Sequence, residues 1–197
     1  MTADPIASAA ETDTRRWLER AVIGLNLCPF AKAVHTKGQI HYAVTSADTD
    51  GALLVALATE LEALAEHGAE QRSTTLLVAP LAFADFLDFN DFLELADKLL
   101  VEMQLEGDFQ IASFHPQFQF AGTSPDDITN ATNRAPYPTL HLLREASIDA
   151  AVAAFPETEA IYLRNIETLE ALGVDGFAAL GVGPTIALRA DGIGKSQ

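Results

Sequence analysis

The feature that most constrains the fold is an alternation of short apolar runs with longer amphipathic segments between residues 39 and 120. Ile40, Tyr42 and Val44 alternate with His41, Ala43 and Thr45, a period of two that predicts a strand over 39–46. TLLVA (75–79) is a continuous apolar run, the pattern of a strand covered on both faces. A third strand starts at Phe109, with Ala112, Phe114, Pro116, Phe118 and Phe120 on one side and Ser113, His115, Gln117 and Gln119 on the other. Pro116 has no N–H to donate, so its pairing is expected to break or bulge there. Two helices separate these strands. In 51–67, Leu53, Leu54, Leu57, Leu61 and Leu64 form one stripe, with Asp48 or Thr49 as cap and Gly68 at the exit. In 85–105, Phe86, Phe89, Phe92, Leu93, Leu99, Leu100 and Met103 recur at helical spacing, and Asp85, Asp88, Asp91, Glu94 and Asp97 form the solvated face. Strands joined by such helices imply crossovers and a mainly parallel sheet of three or four strands, an α/β fold. Ligands in such sheets gather beyond the carboxyl ends of the strands.

Flanking this unit, Trp17, Ala21, Val22 and Leu25 predict a helix over 14–27, ended near Cys28 by Pro29, and a short helix follows over 29–34. Pro138 opens a predicted helix to about residue 155, and Pro156 another to 172, closed by Gly173. The chain therefore reads as a flexible N-terminus (1–13), one domain (14–173) ending in a helical pair, and a Gly-rich tail (174–197), in which PTIALRA is a candidate edge strand.

The net charge of −16 argues against nucleic acid and against anionic membrane surfaces, which need clustered Lys and Arg. No apolar run approaches the roughly 18 residues of a membrane span. Residues 1–13 lack the basic and apolar runs of a secretory signal, so a cytoplasmic location is expected. Cys28 is the only cysteine, which rules out an internal disulfide.

The chemistry-bearing residues concentrate in 109–145: His115, Asp126, Asp127, Asn130, Asn133, Arg134, Tyr137, His141 and Arg144. If Pro138 opens a helix, His141 and Arg144 share one face near its N-terminus, where free N–H groups favour an anion. Arg134 and Arg144 are then the anion-binding residues, with Asn130, Asn133 and Tyr137 as further substrate contacts. His115 or His141 is the general acid or base and Asp127 its orienting group. An alternative is a metal held by His115, His141 and Asp127 with an open position for water. Cys28, at the start of a short helix, is a candidate nucleophile with His115 or His35 as base; the bland alternative is a buried structural thiol. The sequence assigns no cofactor: G-x-G-x-x-G and the Walker loop are both absent.

Two resemblances follow. Cys-Pro-Phe-Ala (28–31) resembles the active-site string of glutaredoxin-type proteins, but Ala31 replaces the second cysteine and a helix precedes it where that fold has a strand. LNLCPFA (25–31), FNDFL (89–93), QIASFHPQFQFAG (110–122), TNRAPYPTLHLLRE (132–145) and YLRN (162–165) resemble an uncharacterised bacterial family, domain of unknown function 1415. The resemblance covers roughly residues 15–173 and implies no activity. The expectation from the residues is a cytoplasmic enzyme or binder of a small anionic metabolite, bearing phosphate or carboxylate. The rival is a non-catalytic binding or assembly protein.

Overall fold

The computed structural model describes residues 4–154 and 158–186. Four strands, β1 (Ile40–Val44), β2 (Thr74–Val78), β3 (Phe109–Phe114) and β4 (Thr139–Arg144), form one sheet in the order β1-β2-β4-β3. β1 and β2 pair in parallel, with Ile40 opposite Thr74 and Val44 opposite Val78. The crossover between them is α3 (Asp50–Glu66), capped by Thr49 Oγ1, which accepts from Ala52 N–H. The next crossover is α4 (Phe86–Glu102), capped by the Asp85 carboxylate. It leads to β3, which runs in the same direction as β2 because both are antiparallel to β4.

The expected helix from Pro138 does not form. Residues 139–144 are β4, inserted antiparallel between β2 and β3, so the sheet is mixed rather than mainly parallel. The physical reason is burial on both faces. Leu140 and Leu142 enter the core beneath α3 and α4, while His141 and Leu143 turn to the opposite face, a period of two that a helix would scramble. Helix starts only at Glu145, as α5 (Glu145–Ala154). α6 (Thr158–Ala179) follows, and the predicted opening of this helix at Pro156 lies outside the described residues. Gly173, the predicted end of that helix, has φ 69° and breaks its path before Val174–Ala179 resume it.

The N-terminal residues 5–13, expected to be flexible, are the first turns of α1 (Pro5–Trp17). Asp4 caps it and Pro5 occupies its first position, where a missing N–H costs nothing. A π-helix, Leu18–Ile23, continues it. Gly24 follows; a Cβ there would lie 2.2 Å from the Arg20 carbonyl oxygen, so only glycine fits. The short α2 (Ala31–Thr36) comes next. Pro184–Ile186 are not a strand, and the rest of PTIALRA lies outside the described residues.

Each face of the sheet carries its own core. On one, Leu53, Leu57, Leu61 and Leu64 of α3 meet Phe89, Phe92 and Leu100 of α4 over Leu77, Leu140 and Leu142. On the other, Trp17, Leu18 and Ala21 cover Tyr42, Leu76 and Val78. Arg144 ties the end of β4 to the first layer. Its Nη2 donates to the carbonyls of Leu64 (2.6 Å), His67 (2.6 Å) and Arg72 (3.1 Å), groups left open at and beyond the C-terminus of α3. Leu142→Ala should lower the unfolding free energy by ~2–5 kcal/mol, and Arg144→Ala by ~1.5–3 kcal/mol through loss of charge-assisted bonds. Val55→Ala, at a position 68% exposed, should stay within ~0.5 kcal/mol. Urea titrations check all three.

Candidate functional site

The loop after β3 is organised around its own polar groups. Asn130 is fully buried: its Oδ1 accepts from Phe120 N–H (3.0 Å) and Thr123 Oγ1 (2.8 Å), and its Nδ2 donates to Ser124 O (2.8 Å). Asp127 caps the 3-10 helix Ile128–Asn133 by accepting from Thr129 N–H and Oγ1, and these bonds hold its carboxyl below the usual range. Arg134 donates to Phe118 O (3.2 Å) and Pro125 O (2.6 Å). Asn133 gives its carbonyl to His115 N–H (3.2 Å). Asp126 is exposed.

His115 follows β3 directly and is wholly buried. Its Nε2 donates to Phe83 O (2.9 Å) and its Nδ1 accepts from Gln117 N–H (3.0 Å), which fixes one neutral tautomer. Phe89 stacks on the ring, and burial holds the pKa down. Tyr137 is equally buried; its hydroxyl donates to Asp13 Oδ2 (2.7 Å) and accepts from Ile186 N–H (3.2 Å). His35 faces Glu19 at 3.6 Å.

The expected convergence of Arg134, Arg144, His141 and His115 on one pocket is therefore not formed. It required a helix at Pro138, and a strand stands there instead. Arg134 precedes β4 and Arg144 ends it, so they lie toward opposite ends of that strand, separated by its length of roughly 17 Å. Both guanidiniums are engaged by backbone carbonyls. Nor do His115, His141 and Asp127 come together: among the described residues, no group of three His, Cys, Asp or Glu side chains is arranged to hold a metal ion.

What the structure forms instead is a pocket of about 440 Å³ on the α1 side of the sheet. Ile40, Thr74 and Leu143, adjacent rungs on three strands, make its floor together with Leu76 and His141. These rungs lie toward the amino ends of β1 and β2, not beyond the carboxyl ends where a ligand was expected. Trp17, Leu18 and Val22 form one wall and Cys28, Ala31 and Val34 another. Ser147, Ile148, Ala151 and Val152, one stripe of α5, form the cover. α5 has no buried residue of its own, so its apolar stripe is turned to a space rather than packed into a core.

His141 is the unusual member. It retains some accessible surface, but that surface faces the pocket. Phe114 lies at a ring distance of 6.1 Å, and the imidazole makes no hydrogen bond to any described residue. Burial alone pushes its pKa down to about 4, with neither a charge nor a hydrogen bond to oppose it. Among the described residues, the buried side-chain polar atom without a partner is Tyr42 Oη, outside the pocket lining. The Arg15 guanidinium lies 3.8 Å from the Tyr42 ring, and burial raises the hydroxyl pKa to about 12.

The family is decided by extent. A family model described as "Protein of unknown function (DUF1415)" matches residues 9–179, from within α1 to the end of α6. The chain belongs to the DUF1415 family. No curated protein and no solved structure matches it. The family's matched span holds the whole pocket lining, including Cys28 and His141. Of the residues singled out from sequence, those two line the pocket; the α5 stripe and the Trp17 wall were missed. The available signal was Ile148, Ala151 and Val152 at helical spacing in an otherwise short helix. No helix of the described residues is long and apolar enough to cross a membrane.

A pH dependence follows. Because the folded pKa of His141 lies below the ordinary 6.5, the unfolded chain takes up its proton first as pH falls. Stability from this group is complete above about pH 6.5, is lost down to about pH 4, and is constant below; the loss is about 3 kcal/mol. His115 adds a loss of the same sign. The difference in unfolding free energy between wild type and His141→Leu isolates the His141 share.

Proposed function

We propose that this protein binds a small molecule in the pocket beneath α5, with most of the ligand apolar. The observation that carries this reading is His141: an imidazole facing an apolar pocket without a hydrogen-bond partner among the described residues. An imidazole that faces an apolar pocket with no protein partner offers a donor and an acceptor to the polar group of a ligand. A volume of about 440 Å³ is that of a ligand site, since well-packed interiors hold few voids larger than a water molecule. An anionic metabolite is less favoured, because neither Arg134 nor Arg144 lines this pocket.

A second reading, thiol chemistry, is favoured by one fact: Cys28 shares the lining with His141. It needs a base in hydrogen-bond reach of the thiol, and among the described residues no hydrogen bond joins the Cys28 thiol to His141 or His35.

The test uses N-phenyl-1-naphthylamine, a neutral fluorescent probe of apolar sites. It should bind with enhanced emission. Ala151→Phe, which fills the pocket from α5, should weaken binding roughly tenfold or more, and Val174→Phe, at an exposed position, should not. Saturating probe should also slow modification of Cys28 by a thiol reagent. Absence of probe binding, or equal effects of the two substitutions, defeats the reading.

A further inference from the structure

Resting on that reading, we infer that the ligand is an uncharged amphiphile with a single hydrogen-bonding group, such as a medium-chain alcohol, aldehyde or ketone, and that His141 receives that group. Three observations converge. First, no Asp, Glu, Lys or Arg lines the pocket. A charged headgroup placed there would lose its water without gaining a counter-charge, a cost large enough to exclude it. Second, the polar capacity is small and uncharged, with His141 its one group able both to donate and to accept through a ring. Thr74 Oγ1 is already used, donating to Leu142 O (2.6 Å). His141 and Ser73 at the floor and Ser147 on the cover make no side-chain hydrogen bond to a described residue. A neutral imidazole donates at one nitrogen and accepts at the other, so it serves a hydroxyl or a carbonyl alike. Third, the size is defined. A dry cavity of about 150 Å³ takes benzene, so this pocket has room for a body of roughly 15 non-hydrogen atoms. An alkyl chain lying along Ile40, Leu76, Leu143 and Ile148 fills it while its head meets His141.

The experiment compares decan-1-ol, decanoate and decylammonium as competitors of N-phenyl-1-naphthylamine at pH 7, on the full chain. These ligands share one chain length and differ in headgroup charge. Decan-1-ol should displace the probe, with both ions weaker by roughly tenfold or more. His141→Leu should keep probe binding and lower the affinity for decan-1-ol roughly three- to tenfold, and His141→Gln, which keeps a hydrogen-bonding head, should restore most of it. Decanoate or decylammonium binding as tightly as decan-1-ol overturns the inference and leaves the pocket as an apolar site. An unchanged decan-1-ol affinity in His141→Leu overturns the role of His141. If the probe itself fails to bind, the underlying reading falls, a result distinct from either.

Discussion

The structure depends on one strand that runs against its neighbours. β4 fills the gap between β2 and β3 and completes both ladders, which otherwise present unpaired edges. Its alternation distributes side chains to both layers: Leu140 and Leu142 to the core under α3 and α4, His141 and Leu143 to the pocket floor. Because β4 passes into α5 without a loop, the helix starts at the end of β4 where Leu143 lines the pocket. Arg144 fixes that junction through the carbonyls of Leu64, His67 and Arg72. One strand therefore sets the sheet order, the position of the cover and the exposure of the imidazole.

Two costs coincide at the pocket. Its lining forgoes the dispersion contacts a filled core would have, and the His141 imidazole has no hydrogen-bond partner among the described residues. A ligand with an apolar body and a polar head removes both at once. The adjoining backbone carries a further irregularity: the π-helix Leu18–Ile23 supplies Leu18 and Val22 to the wall and requires glycine at 24. π-helical turns occur frequently at functional sites. Arg134 and Arg144, the anion-binding residues expected from sequence, are spent on backbone carbonyls.

The β1-α3-β2-α4-β3 unit was legible because each element carries a local signal: period two in Ile40–Val44, a cap at Thr49, a leucine stripe along α3 and a phenylalanine stripe along α4. β4 was not. Thr139–Arg144 follows a proline and runs into Glu-Ala-Ser-Ile-Asp-Ala-Ala, so local propensity extends the helix backward. Only pairing on both sides, a non-local fact, decides for a strand. The candidate site failed for the same reason, since its geometry was built on that helix. His141 and Cys28 were named from their chemistry and do line the pocket. The pocket itself had no sequence signature, because its walls come from segments as distant as Trp17 and Val152.

The most direct measurement is a crystal structure determined under xenon pressure, since xenon occupies dry apolar cavities. The account predicts xenon between α5 and the sheet, against Leu76, Leu143 and Ile148, with the His141 ring nitrogens unbonded to protein. α5 packed down onto β4 with the space closed, or His141 hydrogen-bonded to a protein group, would contradict it.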